Sequence, residues 1–92
     1  MIKSFRHKGL DRFFRKGSKS GIRPEHAIKL QIQLTALEHA TCPTDINAPG
    51  WRVHRLAGQR TGFYSISVSG NWRLVFRFEG SNAIDVEYLD YH

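Results

Sequence analysis

The stretch Tyr64-Ser65-Ile66-Ser67-Val68-Ser69-Gly70-Asn71-Trp72-Arg73-Leu74-Val75-Phe76-Arg77-Phe78 decides the fold. Its side chains change character at every second residue. Tyr64, Ile66 and Val68 alternate with Ser65, Ser67 and Ser69; Trp72, Leu74, Phe76 and Phe78 alternate with Arg73, Val75 and Arg77. A period of two marks strands with one buried face. Ser69-Gly70-Asn71 supplies a tight hairpin turn between them. Glu79-Gly80-Ser81-Asn82 makes a second turn. Beyond it Ile84, Val86 and Tyr88 continue the apolar face on a third strand, with Asp85 and Glu87 on the other.

Upstream the period changes. Leu10, Phe13 and Phe14 fall on one side of a short helix. A longer helix is expected from Pro24, because proline suits the first turn and Glu25 favours the positive dipole end. Ala27, Leu30, Leu34 and Leu37 form its core stripe, widened by Ile28 and Ile32, and Pro43 stops the pattern. Thr41 to Gly50 reads as a loop and Ile2 to Phe5 as a short edge strand. Two helices followed by hairpin-linked strands with one apolar face predict a single α+β domain over 1–92. The helices pack on one face of a mostly antiparallel sheet.

Charge gives the first hint of function. Fourteen Lys and Arg stand against eight Asp and Glu, a formal net charge of +6. Most of the cations are Arg, whose planar fork of donors matches phosphate geometry. That bias points toward a polyanion, with nucleic acid first. The lone Cys42 excludes an internal disulfide and fits a reducing cytoplasm; it reads as an ordinary free thiol. No apolar run is long enough to span a membrane, and the charged N-terminus is no signal peptide. The five histidines have no metal-ligand spacing, and no nucleotide-binding glycine loop is present, so neither metal nor cofactor is expected.

Alternation sends Arg73, Arg77, Asp85, Glu87, Phe63, Ser65 and Tyr91 to the sheet face away from the helices. Arginines and aromatics on an open sheet can stack on bases and pair with phosphates. Arg77 is expected to pair across strands with an acid instead. Arg52, His54, Arg55 and Arg60 form a second basic cluster, ending in a loop with Gly58 and Gly62. With Lys8, the three arginines are the candidate RNA-binding residues. His7, His26 and His39 read as surface positions.

Four segments together resemble one known family: Met1 to Leu10, His54 to Gly62, Tyr64 to Arg73, and the final Asp90-Tyr91-His92. They occur in the same order in the HigB toxins of the RelE/ParE superfamily, and the resemblance covers nearly the whole chain. It implies a RelE-like microbial ribonuclease fold and a type II toxin–antitoxin module. Such toxins enter the ribosomal A site and cut messenger RNA there without a metal. The RNA's own 2′-hydroxyl attacks the adjacent phosphate. The implied partners are the ribosome with its message and a HigA-like helix-turn-helix antitoxin, through which alone operator DNA is contacted. By position, His54, Asp90, Tyr91 and His92 match the family's active-site residues, and Arg73 matches its sheet arginine. Arg73 is then the clamp on the scissile phosphate. His54 and His92 are the base and acid candidates in either order. Asp90 orients a histidine, and Tyr91 stacks on a base or donates a proton. One departure is Ala57, where members often carry a lysine, leaving Arg55 or Arg60 to compensate. A weak or inactive toxin, or a basic RNA-binding module without chemistry, is the alternative reading.

Overall fold

The computed structural model describes residues 1–90; Tyr91 and His92 lie outside the described residues. Helix α1 spans Lys8–Lys16 and α2 spans Ala27–His39. Four strands follow: β1 His54–Arg55, β2 Tyr64–Ser69, β3 Trp72–Glu79 and β4 Asn82–Asp90. They form one antiparallel sheet in the order β1-β2-β3-β4. The expected α+β class and the helix-on-sheet layering are what the chain adopts.

Local chemistry sets the helix ends. The His7 imidazole caps α1, its Nδ1 accepting from the Leu10 N–H at 2.9 Å. Gly17 closes the helix in a left-handed conformation (φ 74), its N–H reaching the Phe13 carbonyl. Gly9 in α1 meets Gly21 backbone to backbone; a Cβ on Gly9 would fall 2.6 Å from the Gly21 Cα. This contact folds the connecting loop onto α1. Pro24–His26 forms a 3-10 turn that feeds α2. The helix ends at His39, before Pro43, which instead starts a second 3-10 turn.

The core lies between α1, α2 and the sheet. Leu10, Leu30, Leu34 and Leu37 from the helices meet Ile66, Val68, Leu74, Phe76 and Val86 from the strands. Each fully buried leucine contributes about 1.5–3 kcal/mol. The stripe on α2 is narrower than expected, because Ile28 and Ile32 are 77% and 56% exposed. Buried Gln33 takes a place beside that stripe, its Nε2 donating to the Ser67 carbonyl at 2.8 Å.

One irregularity in β4 changes which residues face the helices. Asp85 adopts a left-handed conformation (φ 54), and the β3–β4 register shifts between Val75 and Arg77. Two residues of β4 then oppose one of β3, a β-bulge. The expected pattern of Ile84, Val86 and Tyr88 on one face is therefore corrected. Ala83 enters the core opposite Phe78, and Ile84 falls opposite Arg77 on the other face. The first residues lie along β4 as two parallel bridges, Ile2 with Ala83 and Phe5 with Val86, rather than as a continuous strand. The Asp85 N–H donates to Ser4 Oγ at 2.8 Å between those bridges.

Candidate functional site

Cross-strand register defines the face away from the helices. His54 pairs with Ser65, Ser65 with Val75, and Val75 with Glu87, so these side chains form one row over the four strands. The next row holds Ser67, Arg73 and Leu89. His54 is exposed on β1, a two-residue strand at the sheet edge.

Arg73 lies along the β2–β3 turn. Its Nη1 donates to the Gly70 carbonyl at 2.7 Å and the Trp72 carbonyl at 3.1 Å, and stands 3.5 Å from Ser67 Oγ. All three partners are neutral oxygens, so the contacts fix the guanidinium without cancelling its charge. The other arginines of this face are paired with acids. Arg60 meets Glu87 at 3.2 Å, and Arg77 meets Asp85 at 2.8 Å, as expected of Arg77. Arg6 joins Asp85 at 3.7 Å, and the guanidinium groups of Arg6 and Arg77 both stand over the Phe63 ring. Half-buried Arg60 is thus engaged within the fold.

The remaining basic candidates are open to solvent. Lys8 begins α1 and is exposed. Arg52 is exposed and left-handed (φ 52), which lets the Trp51 carbonyl accept from the Ser67 N–H. Arg55 pairs with Tyr64 and so points to the sheet face opposite His54. Ala57 is exposed just before the 3-10 turn Gly58–Arg60.

The expected cluster is only partly assembled by the described residues. His54 and Arg73 share a face. Asp90, the last residue of β4, pairs with Trp72 and therefore lies on the helix-bearing face at the end of the sheet. Tyr91 and His92 fall outside the described residues. No group of three or more His, Cys, Asp or Glu side chains is placed to hold a metal among the described residues.

Beneath Asp90 is a cluster that the sequence reading missed. His26 was expected at the surface but is 5% exposed, and its Nδ1 lies 2.6 Å from the Tyr88 hydroxyl. Tyr88 stacks on Trp72 with ring centroids 4.6 Å apart, and Arg23 stands over the Trp72 ring. His7 packs against Tyr88 from the start of α1, so it too is more than a surface residue. Burial raises the Tyr88 phenol above its ordinary value, against the Arg23 N–H and guanidinium, which lower it. The available signal was spacing: His26, Leu30, Leu34 and Leu37 continue one stripe a turn further back. His39 is exposed, as expected.

Two comparisons with known proteins give the chain's family. A family model described as RelE-like toxin of type II toxin-antitoxin system HigB matches residues 3–92. The chain is also 40% identical over 92 residues, covering 100% of both sequences, to a Proteus vulgaris protein named Endoribonuclease HigB.

Proposed function

Because the chain belongs to the HigB family of RelE-like toxins of type II toxin–antitoxin systems, we propose that it is an endoribonuclease that cuts messenger RNA in the ribosomal A site. In this reading a HigA-like helix-turn-helix antitoxin holds it inactive in the cytoplasm and contacts operator DNA on behalf of the pair.

The observation that carries the reading is the placing of Arg73. Its guanidinium is pinned over Ser67 by neutral oxygens, one row from His54. Two strands and one row separate their Cα atoms by roughly 12 Å. A phosphate lying over Ser67 is within reach of both side chains. RNA carries its own nucleophile, so the protein has three tasks. A base takes the 2′-proton, a cation meets the charge developing on the phosphorane, and an acid protonates the leaving 5′-oxygen. Arg73 is assigned the charge. His54 and His92 share the proton transfers, because an imidazole can both take and give a proton. Asp90 orients a histidine, and Tyr91 stacks on a base or donates a proton. No cofactor or metal is needed by this scheme. The ribosome supplies the substrate's orientation, a contribution that reaches several kcal/mol in well-aligned reactions.

The test is a cleavage assay with purified protein on message alone and on programmed ribosomes, with the new ends mapped. Cleavage confined to ribosomes, leaving 2′,3′-cyclic or 3′-phosphate ends, supports the proposal. Full cleavage by His54→Ala and His92→Ala overturns the assigned roles. Binding without any cut by the native protein supports a non-catalytic module instead.

A further inference from the structure

Behind the edge strand, on the side opposite His54, lies a cleft of about 480 Å³. Pro43 and Val53 give it apolar surface, Tyr64 an aromatic wall, and Asn47 and Arg55 its polar groups. Tyr64 is held by stacking on Phe76, ring centroids 6.3 Å apart. Asn47 and Arg55 are exposed and have no side-chain hydrogen bond or ion pair with the rest of the fold among the described residues. Cys42 and Thr44, bonded to each other at 3.1 Å, complete the wall.

We propose that this cleft binds one unpaired nucleobase of the message, next to the nucleotide held at His54. The inference rests on the nuclease reading and adds a subsite to it. Three observations support the choice of ligand. The wall chemistry suits a base: a flat apolar ring stacks on an aromatic or a guanidinium, and its edges pair with amide and guanidinium groups. The size lies within the range of small-ligand clefts, roughly 300–1,000 Å³. The position is continuous with the proposed site, because His54 and Arg55 are consecutive residues pointing to opposite faces of β1. No strand lies beyond β1 among the described residues. An RNA strand crossing that edge therefore sets one nucleotide over the open face and its neighbour in the cleft. Arg55 acts here as a base contact rather than as a general phosphate contact, and the site gives the cut a base preference at a neighbouring position.

The experiment uses messages bearing one 4-thiouridine at successive positions around the cut, with a 2′-deoxy residue at the cut itself, on programmed ribosomes with full-length protein. After irradiation, crosslinked peptides are mapped. In parallel, kcat/KM for all-ribose messages with each base at the adjacent position is compared between native protein and Asn47→Ala. The expected result is a crosslink from one adjacent position to a peptide containing Cys42 or Tyr64. Asn47→Ala should lose about tenfold in kcat/KM for the favoured base and little for the others, the scale of one base contact. Native cleavage with message crosslinks only to other peptides, or an unchanged base preference in Asn47→Ala, overturns the subsite and leaves the nuclease reading standing. Failure of the native protein to cut any message overturns the nuclease reading and the subsite with it.

Discussion

His7 caps α1 through an acceptor, and that makes the cap sensitive to protons. The Nδ1 lone pair receives the Leu10 N–H at 2.9 Å. Protonated imidazole is a donor at both nitrogens, so charging His7 sets N–H against N–H. The charge would also face the positive end of the helix dipole. Burial lowers the His7 pKa below 6.5, with Glu87 opposing and Arg12 assisting the shift. The folded chain therefore binds this proton less readily than the unfolded chain. The stability tied to neutral His7 is present above about pH 6.5 and is lost as pH falls through the lower folded value. An N-cap contributes about 1 kcal/mol, within a range of 0.5–2. For a domain of this size each kcal/mol moves Tm by roughly 4–8 °C. His7→Asn keeps a capping oxygen and removes the titration. Thermal unfolding at about pH 8 and about pH 5 decides the matter. The native protein should lose roughly 4–8 °C more than His7→Asn between the two. Because both proteins carry the other four histidines, the double difference isolates position 7. Equal losses in the two proteins would refute the reasoning. So would an unchanged Tm for His7→Ala at the higher pH.

Three further outcomes are expected. Tyr88→Phe leaves buried His26 Nδ1 without its 2.6 Å partner, costing about 1–3 kcal/mol; urea unfolding should show a lower midpoint at unchanged slope. Gly9→Ala drives a Cβ to 2.6 Å from the Gly21 Cα and should destabilise by about 1–3 kcal/mol, read in the same titration, whereas Ile32→Lys on the exposed side of α2 should stay within about 0.5 kcal/mol. Arg73→Lys keeps a charge but removes the Nη1 that anchors the group over the turn and the planar fork proposed to meet the phosphate; kcat/KM on programmed ribosomes should fall by about 10²–10³. A lower Tm with unchanged kcat/KM would make Arg73 only a brace for the hairpin.

Periodicity read the layers well because burial acts on every residue of a regular element. The stripe Leu30, Leu34 and Leu37 and the strand face Leu74, Phe76 and Phe78 are positions where one wrong residue would put a charge in the core. Single-residue events were less legible. Nothing in Ile84-Asp85-Val86 announces a bulge, since Asp only tolerates the left-handed conformation and does not demand it. Its effect is nevertheless to exchange Ala83 and Ile84 between faces. His26 was misplaced because a histidine looks polar until a buried hydroxyl such as that of Tyr88 satisfies it. For the candidate site residues, alternation within a strand gave the face of Arg73 but not what lies beside it. Asp90, two residues past Tyr88, falls on the helix-bearing face by alternation alone, whereas the nearness of His54 to Arg73 is fixed by register across β1, β2 and β3 rather than by spacing along the chain.

The bridges of Ile2 and Phe5 to β4 have a consequence in time. They join residues about eighty positions apart, and the Ile2 N–H also waits for Glu38, 36 residues later. Contacts of such long sequence separation form late and slowly. During synthesis the first residues leave the ribosome long before their partners exist, and the sheet edge they complete closes only after β4 has emerged. The growing protein thus passes through an interval, set by translation itself, in which the β4 side of its sheet is open and its first residues have nothing to pair with.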